Sequence, residues 1–429
     1  MSTITRAPLT YAQQLVLGRE RVTPGSVLGP RFIVRAAYTV RHVIDPDALQ
    51  AAVDDVVARH DALRTVIAGG PDEPHLRVLP PMPGRLITQD ISDVDAFLAE
   101  VSDADYPADE PPLLWVRLGR CADGSSVLVI VAHHLAADAW SLPLLARDLA
   151  DAYTARVLGG EPLGTDVMQY AAVAEDDFSP GWQATIERTL PYWRERLAGT
   201  EGLSIEVPTP ARAGSQVTRR FRVPAELRPR LVTAARRAKT TPATLLFTAF
   251  VAAVFPDRAD VVVPVITAGR QPSEWHTVGM MINLLLMRVT RDDPSDLRET
   301  LRRVDRACRE AYGRDIPLLR VLGETPELAA AAFLPAEIIE RTFPVFQVIP
   351  ASPIKANSPD PELVLEAIAE DRQPGLPAPV SLAWSMRLDE VINGYVTYDG
   401  NLFGPEWIDE RVEGYLRVLA ELADDGMAP

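Results

Sequence analysis

Two of the chain's six histidines, His133 and His134, are adjacent, and they stand where the apolar run VLVIVA (Val127 to Ala132) gives way to a helical segment. Imidazole has an unperturbed pKa of about 6.5 and suits proton transfer near neutrality. The exit of a buried strand exposes side chains at the end of a sheet, where sites form. Asp138 follows His134 by four residues, close to a helix N-terminus, where a carboxylate can cap the helix, orient an imidazole or pair with a buried arginine. A packed or surface doublet is the competing reading of the two histidines. A metal site is not expected, because adjacent side chains at a strand end point to different faces and no HExxH, CxxC or carboxylate triad accompanies them.

The elements that must position these residues read as mixed α/β in two lobes. Arg31 to Ile44 alternates polar and apolar residues and reads as a strand. A helix follows, with Asp45 as N-cap, Pro46 at its first position and Leu49, Val53, Val56 and Val57 as its apolar face. His75 to Leu79 and Leu113 to Leu118 read as short strands flanking a proline-rich, acidic connection. VLVIVA suits a strand buried on both faces. From Asp138 the chain turns helical, with Leu145, Leu149 and Tyr153 on one side and Gly159-Gly160 as the stop. EVPTPARAG reads as a linker, which puts a lobe boundary near Gly202 to Gly214. The second half alternates again: strand RRFRV, helix ATLLFTAFVAAV, buried strand VVVPVIT, strand INLLLMRV, helix DLRETLRRVDRACREAY, strands near Val345 and Val380, and a helix from Pro405. Asp399, beside Gly400-Asn401, reads as a solvated turn residue. Tyr170, Tyr192 and Trp193 read as core or lobe-interface aromatics.

Composition narrows the function classes. With 429 residues, 47% hydrophobic and 24% charged, and a mean hydropathy of +0.01, the chain is globular and long enough for a sizeable core. The 43 basic against 59 acidic residues give a net charge of −16, which repels nucleic acid and anionic membranes. Nearly all cations are arginine, with lysine only at 239 and 355. Cys121 and Cys308 are too few for a disulfide framework and fit a reducing cytoplasm. The N-terminal sequence lacks a signal-peptide pattern and no run of 18 apolar residues occurs, so a cytoplasmic protein is expected.

The string from Val131 to Ser141, AHHLAADAWS at its heart, resembles the HHxxxDG motif of nonribosomal peptide synthetase condensation domains and their acyltransferase relatives. Other segments follow in the family's order. LTYAQQLVLGRE (Leu9 to Glu20) is similar to the S-x-A-Q opening with Thr10 in the serine position, and RHDALRT (Arg59 to Thr65) to the RHExLRT segment. TAGRQPSEWHTVGMMINLLLMR resembles GR-x-x-PE followed by G-x-F-x-N-T-L-x-x-R, at Gly269, Arg270, Gly279, Asn283 and Arg288. GRDIPLLRVL (Gly313 to Leu322), PVFQVI (Pro344 to Ile349) and YVTYDGNLF complete the set. Two departures stand out. Ala139 replaces the motif's glycine and adds a methyl where a backbone amide would approach substrate, and Gly313-Arg314 stand where the family often has His and Gln.

The resemblance implies two chloramphenicol-acetyltransferase-like lobes, residues 1–205 with the His motif and 206–429, forming a V-shaped pseudo-dimer around a central tunnel. It implies a monomeric condensation enzyme that joins an acyl or aminoacyl thioester, delivered on the phosphopantetheine arm of an acyl or peptidyl carrier protein, to a small amine or alcohol. Because nothing in the sequence resembles an adenylation domain or a carrier protein, a free-standing enzyme is expected. No bound cofactor or metal is expected. His134 is the implied catalytic base. His133, Asp138, Ala139, Arg270 and Asn283 are the implied supporting residues, with Asp138 and Arg270 as a buried ion pair. Trp140 and Ser141 read as packing and capping residues. A coenzyme A-dependent acyltransferase uses the same motif, and a non-catalytic docking module is the alternative from another class.

Overall fold

The computed structural model describes all residues except 1–4, 71–72, 201–204, 212–215, 327, 329–338, 343, 351–360, 370–371, 376–379 and 425–429. In chain order the first elements are β1 (Thr5–Ala7), α1 (Tyr11–Val22), β2 (Ile33–Val40), α2 (Pro46–Arg59), β3 (Thr65–Ala68), β4 (His75–Val78), β5 (Arg85–Ile91) and α3 (Val94–Asp103). Then come β6 (Leu114–Cys121), β7 (Ser126–His133), α4 (Ser141–Val157), α5 (Tyr170–Asp176), α6 (Pro180–Leu197), β8 (Ile205–Ala211), β9 (Gln216–Arg222), α7 (Leu227–Arg237) and α8 (Pro242–Val254). The remainder is β10 (Asp260–Thr267), β11 (Asn283–Thr290), α9 (Leu297–Tyr312), α10 (Leu318–Gly323), β12 (Ile339–Thr342), β13 (Val345–Pro350), β14 (Glu366–Ala367), β15 (Leu382–Leu388), β16 (Ile392–Asp399) and α11 (Pro405–Leu422). The fold is mixed α/β, as the alternating pattern predicts.

The chain forms two compact units, and neither is continuous in sequence. The first comprises Met1–Ala184, Ala268–Ile282 and Ser352–Pro377; the second comprises Thr185–Thr267, Asn283–Ala351 and Ala378–Pro429. Gly202 and Gly214, the ends of the expected boundary stretch, lie outside the described residues.

The first unit is built on a five-stranded sheet ordered β14-β2-β7-β6-β5. β7 is its central strand and all eight of its positions are buried, which is why its sequence is an unbroken apolar run. α2 and α4 bury the faces read from the sequence, Leu49, Val53, Val56 and Val57 with Leu145, Leu149 and Tyr153, in the same core as the sheet. Asp45 caps α2 by accepting the N–H groups of Asp47 and Ala48 at 2.9 and 3.3 Å. Val278, Leu363 and Ile368, from the two later segments, complete this core. A small sheet, β1-β4-β3, packs with α5 around Leu9, Leu76, Tyr170 and Met281.

The second unit holds a six-stranded sheet ordered β11-β10-β13-β15-β16-β9. Its core centres on Phe221, Phe250, Phe346, Trp384 and Tyr415, whose rings meet at 4.9 to 5.7 Å between centroids. β8 pairs antiparallel with β12.

Three expectations change. EVPTPARAG is largely strand β8 and not a linker; Pro208 and Pro210 fall in the stretch where the pairing with β12 shifts register, between Glu206↔Arg341 and Ala211↔Ile339. The proline-rich connection between β4 and β6 contains β5 and α3, the latter capped by Asp93 through the N–H groups of Asp95 and Ala96. Asp399 is buried, 3% exposed, with Oδ1 accepting the Asn401 N–H at 2.9 Å; its turn is folded against the core by Leu402 and Phe403.

Candidate active site

β7 ends at His133, and the register with β2 places Ile33 opposite His133. The ladder continues one step, because the His134 N–H donates to Phe32 O at 2.8 Å. Successive side chains at a strand end face opposite ways, and the two imidazoles have different fates.

His133 is sealed. Its Nε2–H donates to Gly29 O at 3.2 Å, and its Nδ1 accepts the Leu135 N–H at 3.3 Å. Burial pushes its pKa down to about 4. Both ring nitrogens are spent on structure.

His134 is only partly buried. Its Nδ1 lies 2.8 Å from Ala137 O. A carbonyl only accepts, so Nδ1 carries the hydrogen and the lone pair of the neutral ring is on Nε2. Among the described residues nothing hydrogen-bonds Nε2. Burial lowers the pKa of the ring, and the Asp138 charge and the Ala137 carbonyl pull the other way. Phe32 stacks on the imidazole with centroids 4.6 Å apart and planes 20° from parallel. The result is a neutral imidazole held in one tautomer with its basic nitrogen unengaged.

Behind it lies a buried ion pair. Arg270 grips Asp138 at both oxygens, Nη1 to Oδ2 at 2.7 Å and Nη2 to Oδ1 at 2.9 Å, and each side chain is 1% exposed. The carboxylate also accepts from the Ser141 N–H at 3.0 Å and the Met281 N–H at 3.1 Å. Burial raises the Asp138 pKa, but Arg270 and these donors outweigh it and hold the group ionised. The guanidinium donates further to Ala268 O and Gly279 O, both at 3.1 Å. Ser141 Oγ is the hub of the bracket, 2.9 Å from Asp138 Oδ1 and accepting from Gly279 N at 3.1 Å. Because Asp138 is engaged here, α4 starts at Ser141 and not at Asp138.

Three other motif segments meet at Tyr170. Asp61, of RHDALRT, accepts the N–H groups of Tyr170 and Ala171 at 2.7 and 3.0 Å, which caps α5. Thr10 Oγ1 lies 3.1 Å from Tyr170 Oη, which donates to Met280 O at 2.9 Å. Gly279 abuts the same ring: a Cβ there would come within 2.3 Å of it. His60 and Arg59 both bond the buried Asp148, at 2.7 and 3.0 Å. The segments at 10, 61 and 279–280 are thus tied together through Tyr170.

Of the expected site residues, the first unit brings together His133, His134, Asp138 and Arg270. Ala139 is exposed in the turn before α4. Lys239 is the only non-glycine with positive φ among the described residues, so alanine sits at 139 without backbone strain. Asn283 belongs to the second unit, where its amide fastens a loop: Nδ2 donates to Asp315 Oδ1 and Ile316 O at 2.7 and 2.8 Å, and Oδ1 accepts the Leu318 N–H at 2.9 Å. Arg314 stacks over Tyr192 at 4.3 Å, and its carbonyl accepts the Trp193 indole N–H. Trp140 donates to Trp275 O at 3.0 Å.

Sequence reasoning passed over Phe32 and undervalued Ser141 and Tyr170. The only sequence sign of Ser141 is its i+3 spacing from Asp138, which a cap explains equally well. Phe32 is visible only once the β2–β7 register is known. Among the described residues no helix is long and apolar enough to cross a membrane, and no group of three or more His, Cys, Asp or Glu side chains is placed to hold a metal ion.

A buried strand delivering an open imidazole beside a sealed carboxylate–guanidinium bracket, on a two-unit mixed α/β fold, defines a protein of the condensation type. The chain belongs to the condensation-domain family, whose model matches residues 4–334. It is 34% identical, over 76% of its length, to the probable nonribosomal peptide synthetase CymA of Salinispora arenicola, and 26% identical, over 97%, to the phosphinothricin tripeptide synthetase PhsC of Streptomyces viridochromogenes. It spans only 4% and 39% of those two proteins. Among solved structures, SgcC5 of Streptomyces globisporus, in complex with a naphthyl-ethanediol and sucrose, superposes with a TM-score of 0.85 at 29% identity, covering 97% of this chain and 98% of that one. The X-domain from teicoplanin biosynthesis shares the fold at a TM-score of 0.80 and 23% identity, covering 99% and 96%.

Proposed function

We propose that this protein joins an acyl thioester, carried on a phosphopantetheine arm, to an amine or alcohol, with His134 as the proton acceptor. The nucleophile's O–H or N–H gives its proton to Nε2 as its heteroatom adds to the thioester carbonyl. The tetrahedral species then collapses, the C–S bond breaks, and the imidazolium returns the proton to the leaving sulfur. General-base assistance of this kind accelerates such steps by about 10²- to 10⁴-fold. The observation that carries the reading is the tautomer: Nδ1–H is committed to Ala137 O, so the free lone pair is on the unengaged Nε2. Its lowered pKa keeps the ring neutral and able to accept a proton near pH 7.

The synthetase relatives support a carrier protein as donor partner, with coenzyme A thioesters as the chemical alternative. The diol held by SgcC5 supports an alcohol acceptor, and therefore an ester product, over an amine. Asp138 and Arg270 hold the turn that presents His134, and His133 locks the strand end.

The test is untargeted mass spectrometry of source-strain extracts carrying His134→Ala, compared with wild type and with a deletion at matched protein levels. The proposal expects both mutants to lose the same metabolite while an acyl fragment and an acceptor accumulate. If the point mutant still makes what the deletion loses, His134 is not the chemical residue and a docking role takes over.

A further inference from the structure

We infer that Phe32 is a positioning residue for His134, its ring supplying the π-face that stabilises the imidazolium form the reaction must pass through. This rests on His134 being the proton acceptor. The observation is the stack itself, 4.6 Å between centroids and 20° between planes, inside the distance at which a cation is attracted to an aromatic face.

The environment of His134 makes such a device necessary. A base that is too deeply desolvated stays neutral but cannot hold the proton it takes. Phe32 is buried in an apolar cluster with Val27, Leu135 and Met280, which excludes water that would otherwise solvate the cation. The charged or titratable groups around the ring give limited help. Asp138 favours the cation but is itself neutralised by Arg270, and the neighbouring His133 stays uncharged with its pKa down to about 4. On the ring's flat side the stabilisation comes from Phe32.

The loop that carries Phe32 is correspondingly fixed. The Glu20 carboxylate at the end of α1 accepts the N–H groups of Gly25, Val27 and Leu28 at 2.6, 2.8 and 3.0 Å. Gly29 O accepts from His133, and the Phe32 N–H donates to Gly29 O at 3.3 Å. A Cβ at Gly29 would fall 2.1 Å from Gly25 O, so the loop admits no side chain there. Phe32 therefore arrives opposite His134 with its backbone bonded on both sides.

The experiment is an NMR titration of the full chain with isotope-labelled histidine, His134 being assigned by its absence in His134→Ala. The series is wild type, Phe32→Tyr, Phe32→Leu, and the chain with para-fluoro- and pentafluoro-phenylalanine installed at position 32. Fluorination keeps the ring's shape while draining and then reversing its quadrupole, so it does not rely on Phe32→Leu folding. The expected result is a His134 pKa that falls stepwise with fluorination, by about 0.4 to 1.5 pH units at the extreme, and that Phe32→Tyr leaves near wild type. A pentafluoro chain that titrates at or above the wild-type pH overturns the proposal. So does a wild-type His134 that stays neutral down to the pH at which the chain unfolds. The metabolite comparison asks whether His134 does chemistry and the titration asks what Phe32 does to its proton affinity, so either reading can fail without the other.

Discussion

Replacing Arg270 by methionine should be among the most damaging single changes in the first unit, and a double-mutant cycle with Asp138→Leu shows why. In wild type Asp138 takes two bonds from the guanidinium and one each from the Ser141 and Met281 amides, and both charged side chains are 1% exposed. Removing the guanidinium strands a buried carboxylate and leaves the carbonyls of Ala268 and Gly279 without a donor they share now. Breaking a buried pair from one side costs about 3–5 kcal/mol. Asp138→Leu strands the guanidinium instead, at a similar cost. With both replaced no charge is buried, and the amides and carbonyls left without a partner are already counted once in the two single variants, so they cancel in the cycle and only the stranded charge remains as coupling. The double variant should therefore be more stable than the sum of the singles predicts by about 2–3 kcal/mol, near the top of the range for contacting residues. The assay is hydrogen exchange resolved to the 126–133 peptide, whose amides bond neither residue. Exchange there should quicken by about 10²- to 10⁴-fold in each single variant and by much less than the product in the double. Strict additivity would refute the reasoning, since it would mean that the two charges do not depend on each other.

Two further outcomes are expected. Gly279→Ala drives a methyl to within 2.3 Å of the Tyr170 ring and should destabilise by about 1–3 kcal/mol in thermal unfolding, while Gly323→Ala, where the added Cβ meets nothing within 4 Å, should leave the midpoint almost unchanged. His133, held at about 4 against 6.5 in the unfolded chain, contributes stability that is complete above about pH 6.5 and is lost as pH falls through 4; urea unfolding at pH 7 and pH 4 should lose roughly 3 kcal/mol more in wild type than in His133→Gln.

The alternation of elements and the doublet at the strand exit are legible in the sequence because each rests on local pattern, and the Asp138–Arg270 pair, 132 residues apart, is legible only through the family resemblance. Residues whose roles come from distant partners are less visible. Asp399 looks like a turn residue and is buried, because Leu402 and Phe403 draw its turn into the core. Pro208 and Pro210 suggest a linker and lie in a strand, because they fall where the β8–β12 pairing shifts register. Asn283 is a polar residue in an otherwise apolar strand, open to either lining a tunnel or hydrogen bonding at a strand edge, and its amide is consumed by Asp315, Ile316 and Leu318. Phe32 is one apolar residue among many until strand register sets it against His134.

The discontinuity of the first unit also sets a timetable for its synthesis. Asp138 leaves the ribosome well before Arg270, and at about 5–20 residues per second the interval to the end of the 268–282 segment is roughly 7 to 30 s. During that time the nascent chain has the strand that bears both histidines but no counter-ion for the carboxylate beside them, and it still lacks Leu363 and Ile368 for its core. The histidine end of the molecule is therefore among the first parts to be made and among the last to become rigid. A gene cut after residue 205 would encode the motif without the charge that seals it.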